Sequence, residues 1–162
     1  MAKVEIKGIN EYTAALSKLS KLVQDNICGK AIYEGAAIVM DSVQSGISSI
    51  PTTNQWGTPS NPVSGINAKQ KAALHNSVGI AKMRNDDGYF NVKIGFDGYN
   101  DIKTKRWPNG QPNQMIARSV ERGTSFLKST PFMKKAVSAS KKRAISIMGF
   151  TIDKEIDELM KG

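Results

Sequence analysis

The apolar residues of this chain change period twice. Ile27, Ala31, Ile32, Ile38, Val39 and Val43 recur three and four residues apart. Val78, Ile80, Phe90, Val92, Ile94 and Phe96 then alternate with polar or small residues, and Phe132, Ala136, Val137, Ala144, Ile145 and Met148 return to the longer interval. A period near 3.6 lays a stripe along one side of a helix, and a period of two lays a set along one side of a strand. The order helix, strand pair, helix confines the chain to an α+β fold: two N-terminal helices and a C-terminal helix packed on a small, mostly antiparallel β-sheet. With 162 residues there is room for a single domain, 1–162.

The first helix is expected from Asn10, whose side chain suits a cap, with Glu11 at the positive end of the dipole and Leu16, Leu19, Leu22 and Val23 on one side. The second runs from Asn26, with Gly46 as its terminator; Gly29 and Gly35 inside it point to close packing against another backbone. Residues 47–66 carry Pro51, Pro59, Pro62, Gly57 and Gly65 among Ser, Thr and Asn, and read as an exposed loop with Trp56 as a contact residue. A short helix is expected over 68–76. The turn chemistry of Asn85-Asp86-Asp87-Gly88 makes an antiparallel hairpin of the strands beside it. Residues 97–112 read as a second exposed loop, and Met115 to Glu121 fits either a third strand or a short helix. Ser129-Thr130-Pro131 is a helix start, with a hydroxyl at the cap and proline in the first turn. Beyond Gly149 a C-terminal helical extension, about 149–162, carries Ile152, Ile156, Leu159 and Met160 against Asp153, Glu155, Asp157 and Glu158.

Charge is unevenly spread. The chain holds 23 basic and 14 acidic side chains, a net +9, yet residues 101–148 alone hold eleven basic and two acidic ones. The excess is therefore local, in one loop (Lys103, Lys105, Arg106) and one helix (Lys134, Lys135, Lys141, Lys142, Arg143). Such a stripe can attract DNA phosphates, meet an acidic protein surface or line a pore.

Little in the sequence points to catalysis. One cysteine, Cys28, cannot close an intrachain disulfide, and one histidine, His75, cannot build a histidine-based metal site. His75 has no carboxylate near it in sequence to orient it, and reads as a surface or helix-end residue. No phosphate-binding glycine loop, paired-cysteine motif, zinc-binding helix or nucleophile elbow occurs. Neither an enzyme nor a bound cofactor or metal is expected. The N-terminus does not read as a secretory signal, and no apolar run approaches the roughly 18 residues of a membrane span.

Three segments carry a resemblance: Leu74-His75-Asn76-Ser77 leading into the hairpin, Val120-Glu121-Arg122-Gly123-Thr124, and Ser129-Thr130-Pro131-Phe132-Met133-Lys134-Lys135-Ala136. In this order, from about Ile9 to Met148, the chain resembles the tail-component family of tailed bacteriophages and prophages. That family is related to the tail-completion or head-to-tail joining neck proteins and the minor tail protein Z type. The most specific piece is the pairing of Glu-x-Gly-Thr with Pro-Phe-Met and a following alanine. The chain departs from the family at Lys71-Ala72-Ala73, where Thr-Gly is usual before the leucine, and in its long basic loop.

The resemblance implies a structural virion protein that forms a ring, hexameric in the assembled particle, between tail tube and connector. A tail terminator and a small basic DNA-binding protein are the alternatives. The implied partners are further copies of the chain, a connector or head-completion protein, and a tail-tube or terminator protein, with DNA passing as cargo and no membrane. The implied location is the host cytoplasm during assembly and the virion neck or tail afterwards. Cyclic assembly needs two different, complementary patches on each subunit. Trp56, Lys103, Lys105, Arg106, Trp107, Glu121 and Arg122 are the interface candidates, with Glu121 and Arg122 pairing across a subunit boundary. Gly123, Thr124, Pro131 and Phe132 are structural, and Lys134, Lys135, Lys141, Lys142 and Arg143 face a lumen or an acidic partner. The C-terminal helix, basic and then acidic, suits a head-to-tail clasp.

Overall fold

The computed structural model describes residues 21–161. Helix α1 (Lys21–Ser48) leads to α2 (Ala68–Ser77), the strands β1 (Val78–Ile80), β2 (Arg84–Asp86), β3 (Tyr89–Asn91) and β4 (Ile94–Phe96), then α3 (Asn113–Arg122) and α4 (Phe132–Lys161). The α+β class is as expected. The helix expected from Asn10 falls largely outside the described residues; Lys21 to Val23 already belong to α1.

Helices α1 and α4, of 28 and 30 residues, form an antiparallel pair that organises the molecule. On α4, Phe132, Ala136, Ser140 and Ala144 lie four residues apart and are all buried, a ridge set into the surface of α1. Small residues let the two backbones approach. The Ser42 hydroxyl donates to the Ala136 carbonyl at 3.2 Å. A Cβ on Gly35 would stand 2.6 Å from Met148 Cγ and 3.3 Å from the Ala144 carbonyl oxygen. The close packing expected of Gly35 is thus present, whereas Gly29 meets only the end of the Met83 side chain. Gly46 does not terminate α1: it lies under Phe132 and the helix runs on to Ser48. Nor does Gly149 break α4. The stretch expected as an extension continues the same helix, with Thr151 and Ile156 buried and Thr151 bonded to the Glu34 carboxylate. Docking along a 28-residue partner outweighs the roughly 1 kcal/mol that a mid-helix glycine costs.

The β-region is two short antiparallel pairs in place of one sheet. Val78 pairs with Phe96 and Ile80 with Ile94, while Arg84 pairs with Asn91 and Asp86 with Tyr89. Between the pairs the register slips by one residue, a bulge that divides the hairpin. Asp87 and Gly88 both have positive φ, 54° and 92°, the two-residue Asp-Gly turn that matches strand twist. Tyr33 of α1 accepts the Met83 amide through its hydroxyl at 2.7 Å, and Asn85 donates to Asp25 at 3.3 Å. The hairpin tip is thereby held near the N-terminal half of α1.

At the other end of the pair lies the main core, with Val43, Ile47, Ile50, Leu74, Val120 and Phe132. Phe96 meets Phe132 edge-on at 6.1 Å, fixing the inner strands against α4. Two segments expected as exposed loops are partly internal. Ile47 in the last turn of α1, Ile50 and Ile66 are buried, and Thr52 and Ile66 pair as a parallel bridge, so 47–66 is anchored at both ends while most of its other residues stay exposed. Likewise Asn100, Gly110 and Gln111 are buried within 97–112, where Asn100 and Gln111 bond backbone to backbone at 2.9 Å. Apolar anchors at loop ends fall outside any period, which is why periodicity missed them. The ambiguous Met115 to Glu121 is helical, with Ile116, Ala117 and Val120 inward.

Candidate functional site

Glu121, expected at a subunit boundary, is committed within the chain. Its carboxylate accepts the Met133 amide at 2.8 Å and the Lys134 amide at 3.0 Å. A carboxylate on those orphan first-turn amides, at the positive end of the helix dipole, caps α4 from another element. Two requirements place it there. Gly123 stops α3 with φ 77°, and a side chain at that position would crowd the Ser129 amide and the Leu127 carbonyl. Thr124 then accepts the Phe126 and Leu127 amides with its hydroxyl, folding a tight turn back toward α4. Thr130 donates its amide to Val120 at 2.7 Å, and Phe132 enters the core behind the half-buried Pro131. The cap expected from a hydroxyl at 129–130 is supplied by Glu121 instead, with Ser129 Oγ bonded to the Glu121 carbonyl. Arg122 is exposed beside it.

The turn after Gly123 also builds one wall of a cavity of about 310 Å³. Val63 and Leu127 pair as a parallel bridge, and Gly57 packs directly on the Phe126 carbonyl, where no side chain would fit. Trp56, 70% exposed, stands at the rim with Phe126, while Met115, Ile116, Ile66 and Leu127 line the apolar interior.

Thr53, Asn54, Gln55, Asn67 and Ser119 also line the cavity, and its two buried polar residues are glutamines, Gln70 and Gln111. Gln70 Oε1 accepts the Asn67 amide, half of a capping box on α2, so Gln70 presents its Nε2 to Gln111 Oε1 at 2.6 Å. That chain fixes the orientation of both amides. Gln111 is left with its Nε2 donor, which has no partner among the described residues, in a residue that lines the cavity. The sequence reading missed both glutamines. The Asn67-x-x-Gln70 spacing is a cap signal that points to Gln70, but nothing local marks Gln111.

The two tryptophans line different cavities. Trp107 is half-buried in a turn closed by Thr104 and lies with Tyr99 and Pro108 around a separate cleft; the Arg106 guanidinium stands 5.9 Å from its ring centre. Lys103 and Lys105 are exposed on the same loop. On α4, Lys134 and Lys141 share one flank and Lys135 and Lys142 the next, each pair seven residues apart and all exposed. Arg143 lies on the opposite flank beside a shallow cleft that includes Asp41. Among the described residues the ion pairs are Lys30–Glu155 at 2.7 Å and Lys154–Glu158 at 4.0 Å, both at the far end of the helix pair from this stripe.

His75 is exposed in the last turn of α2. Cys28 is half-buried on α1, and burial, with Asp25 beside it, pushes its thiol up from the ordinary value. No group of three or more His, Cys, Asp or Glu that could hold a metal ion occurs among the described residues. No helix among them is long and apolar enough to cross a membrane. No family model, curated protein or solved structure matches the chain.

Proposed function

We propose that the chain is a structural subunit of the neck or tail end of a bacteriophage or prophage. In this reading it is a tail-completion or head-to-tail joining component, and not an enzyme. It acts by binding without turnover, in a ring that is hexameric on the family resemblance, between tail tube and connector. It assembles in the host cytoplasm and remains in the virion, with DNA passing through the ring.

The observation that carries this reading is the joint between α3 and α4. The Glu-x-Gly-Thr and Pro-Phe-Met elements that carry the resemblance meet there physically, through the Glu121 bonds to the Met133 and Lys134 amides. A pairing of motifs that makes one structural joint is stronger support than two short motifs that never touch. The exposed lysine stripe of α4 supports a second reading, direct contact with DNA phosphates, because four of its cations have no acidic partner among the described residues.

Negative-stain microscopy with light scattering, in the presence of purified tail tubes and of duplex DNA, separates the two. Rings, or decoration of tube ends, are expected. A monomer that ignores tubes and binds duplex with steep salt dependence would replace this reading with the second.

A further inference from the structure

We propose that the cavity beneath Trp56 is a receptor for the acidic, apolar end of α4, residues 157–160, of a second copy of this chain. The inference rests on the reading of the chain as an assembling subunit and specifies how one copy would hold the next.

Three observations carry it. First, the cavity has a mainly apolar interior, and the segments that form it carry cations and no lining acid. Trp56 and Phe126 stand 70% and 53% exposed over it, and no acidic residue lines it. Lys69, Arg118 and Lys128 are exposed, and each is next in sequence to a lining residue. Second, Gln111 is a mostly buried residue lining the cavity, and the Gln70 bond to its Oε1 holds its amide, so an incoming acceptor meets an Nε2 donor already oriented.

Third, the complementary surface occurs on the same chain at the other end of the molecule. Leu159 and Met160 are 47% and 69% exposed, and Asp157 and Glu158 precede them. Their cationic neighbour Lys154 makes only a long 4.0 Å contact with Glu158. The cavity lies by the first turn of α4, whereas residues 157–160 lie near its last, and a straight 30-residue helix spans roughly 45 Å. One chain cannot fill its own cavity with this segment. A contact between two unlike patches is head-to-tail, the kind that closes rings or runs into filaments. Leu159 and Met160 would replace water against Met115, Phe126 and Leu127, and Asp157 and Glu158 would meet the neighbouring cations.

Two double variants test this, all four positions being exposed: Leu159→Glu with Met160→Glu, and Trp56→Ala with Lys128→Glu. Circular dichroism checks that each is folded. Sedimentation velocity of the full chain, from micromolar to millimolar, is expected to show self-association that weakens with added salt. Each double variant alone should associate at least about tenfold more weakly, as loss of a central anchor does. An equimolar mixture should form a one-to-one complex that grows no further, since one intact tail meets one intact cavity.

A wild type that stays monomeric, variants that associate like the wild type, or a mixture of variants that stays monomeric would each overturn the proposal. Loss of tail-tube binding by the cavity variant, with self-association unchanged, would assign the cavity to the tube protein and also overturn it. A monomeric wild type that still decorates tube ends would remove this proposal and leave the neck reading standing.

Discussion

The Glu121 carboxylate accepts the backbone amides of Met133 and Lys134, so the 30-residue helix α4 starts on a side chain donated from the end of another helix. This fixes the angle between α3 and α4 and hence the wall of the cavity that the intervening turn builds. Replacing Glu121 with Ala removes both acceptors and the favourable charge at the dipole. A loss of about 1 kcal/mol is expected, seen in thermal melts as a Tm lower by a few degrees. Glu121→Gln keeps one acceptor and should lose less. Equal melting of Glu121→Ala and wild type would remove the joint from the account.

Gly35 is a point of close approach between α1 and α4. A valine there would drive methyl groups into Met148 and toward the Ala144 carbonyl, 2.6 and 3.3 Å from a Cβ. The expected cost is about 1–3 kcal/mol, as for other overpacked cores. Shortening Met148 to Ala in the same chain should return part of it, leaving the backbone clash with Ala144. A double-mutant cycle in denaturant measures the coupling, and strict additivity would argue against contact between the two sites.

Lys30 donates to Glu155 at 2.7 Å, and that bond raises the lysine pKa above its ordinary value. The folded state therefore holds this proton more tightly than the unfolded chain does. The stabilisation is fully present below the unfolded lysine value of about 10.4 and is lost as pH rises through the higher folded value. Comparing Lys30→Met with wild type across alkaline pH should show a small stability difference, shrinking to nothing as the lysine deprotonates. A difference that stays constant through that range would contradict the assignment.

Burial, with Asp25 beside it, pushes the Cys28 thiol upward, so little thiolate exists near neutrality. Alkylation by iodoacetamide should be slower than for a free cysteine and should accelerate as pH rises. Denaturant should abolish the protection. Rapid labelling of the native protein at neutral pH would place Cys28 in a different environment.

The fold was legible wherever one period ran long enough. The alternation of Val78, Ile80, Ile94 and Phe96 predicts the inner strand pair, and the spacing of Ala136 and Ala144 predicts the buried face of α4. What periodicity could not read were single contacts made at a distance. Ile50 and Ile66 belong to no repeat and are buried because the chain crosses itself there. Gly46 looks like a helix end, yet a partner helix carries α1 past it, and α4 likewise runs on through Gly149. At the candidate site the sequence marked Trp56 and the Glu-x-Gly-Thr element, but it assigned Glu121 to a neighbour because local spacing does not reveal an acceptor for amides twelve and thirteen residues away. Gln111 carried no local signal, since its role depends on Gln70 reaching across 41 residues.

The most direct test of the central claim is immunogold microscopy of purified tailed particles that encode this chain, with antibody raised against the full protein. Label confined to the junction of head and tail is the predicted result. Particles that carry no label, or label spread along the capsid or tail shaft, would contradict it.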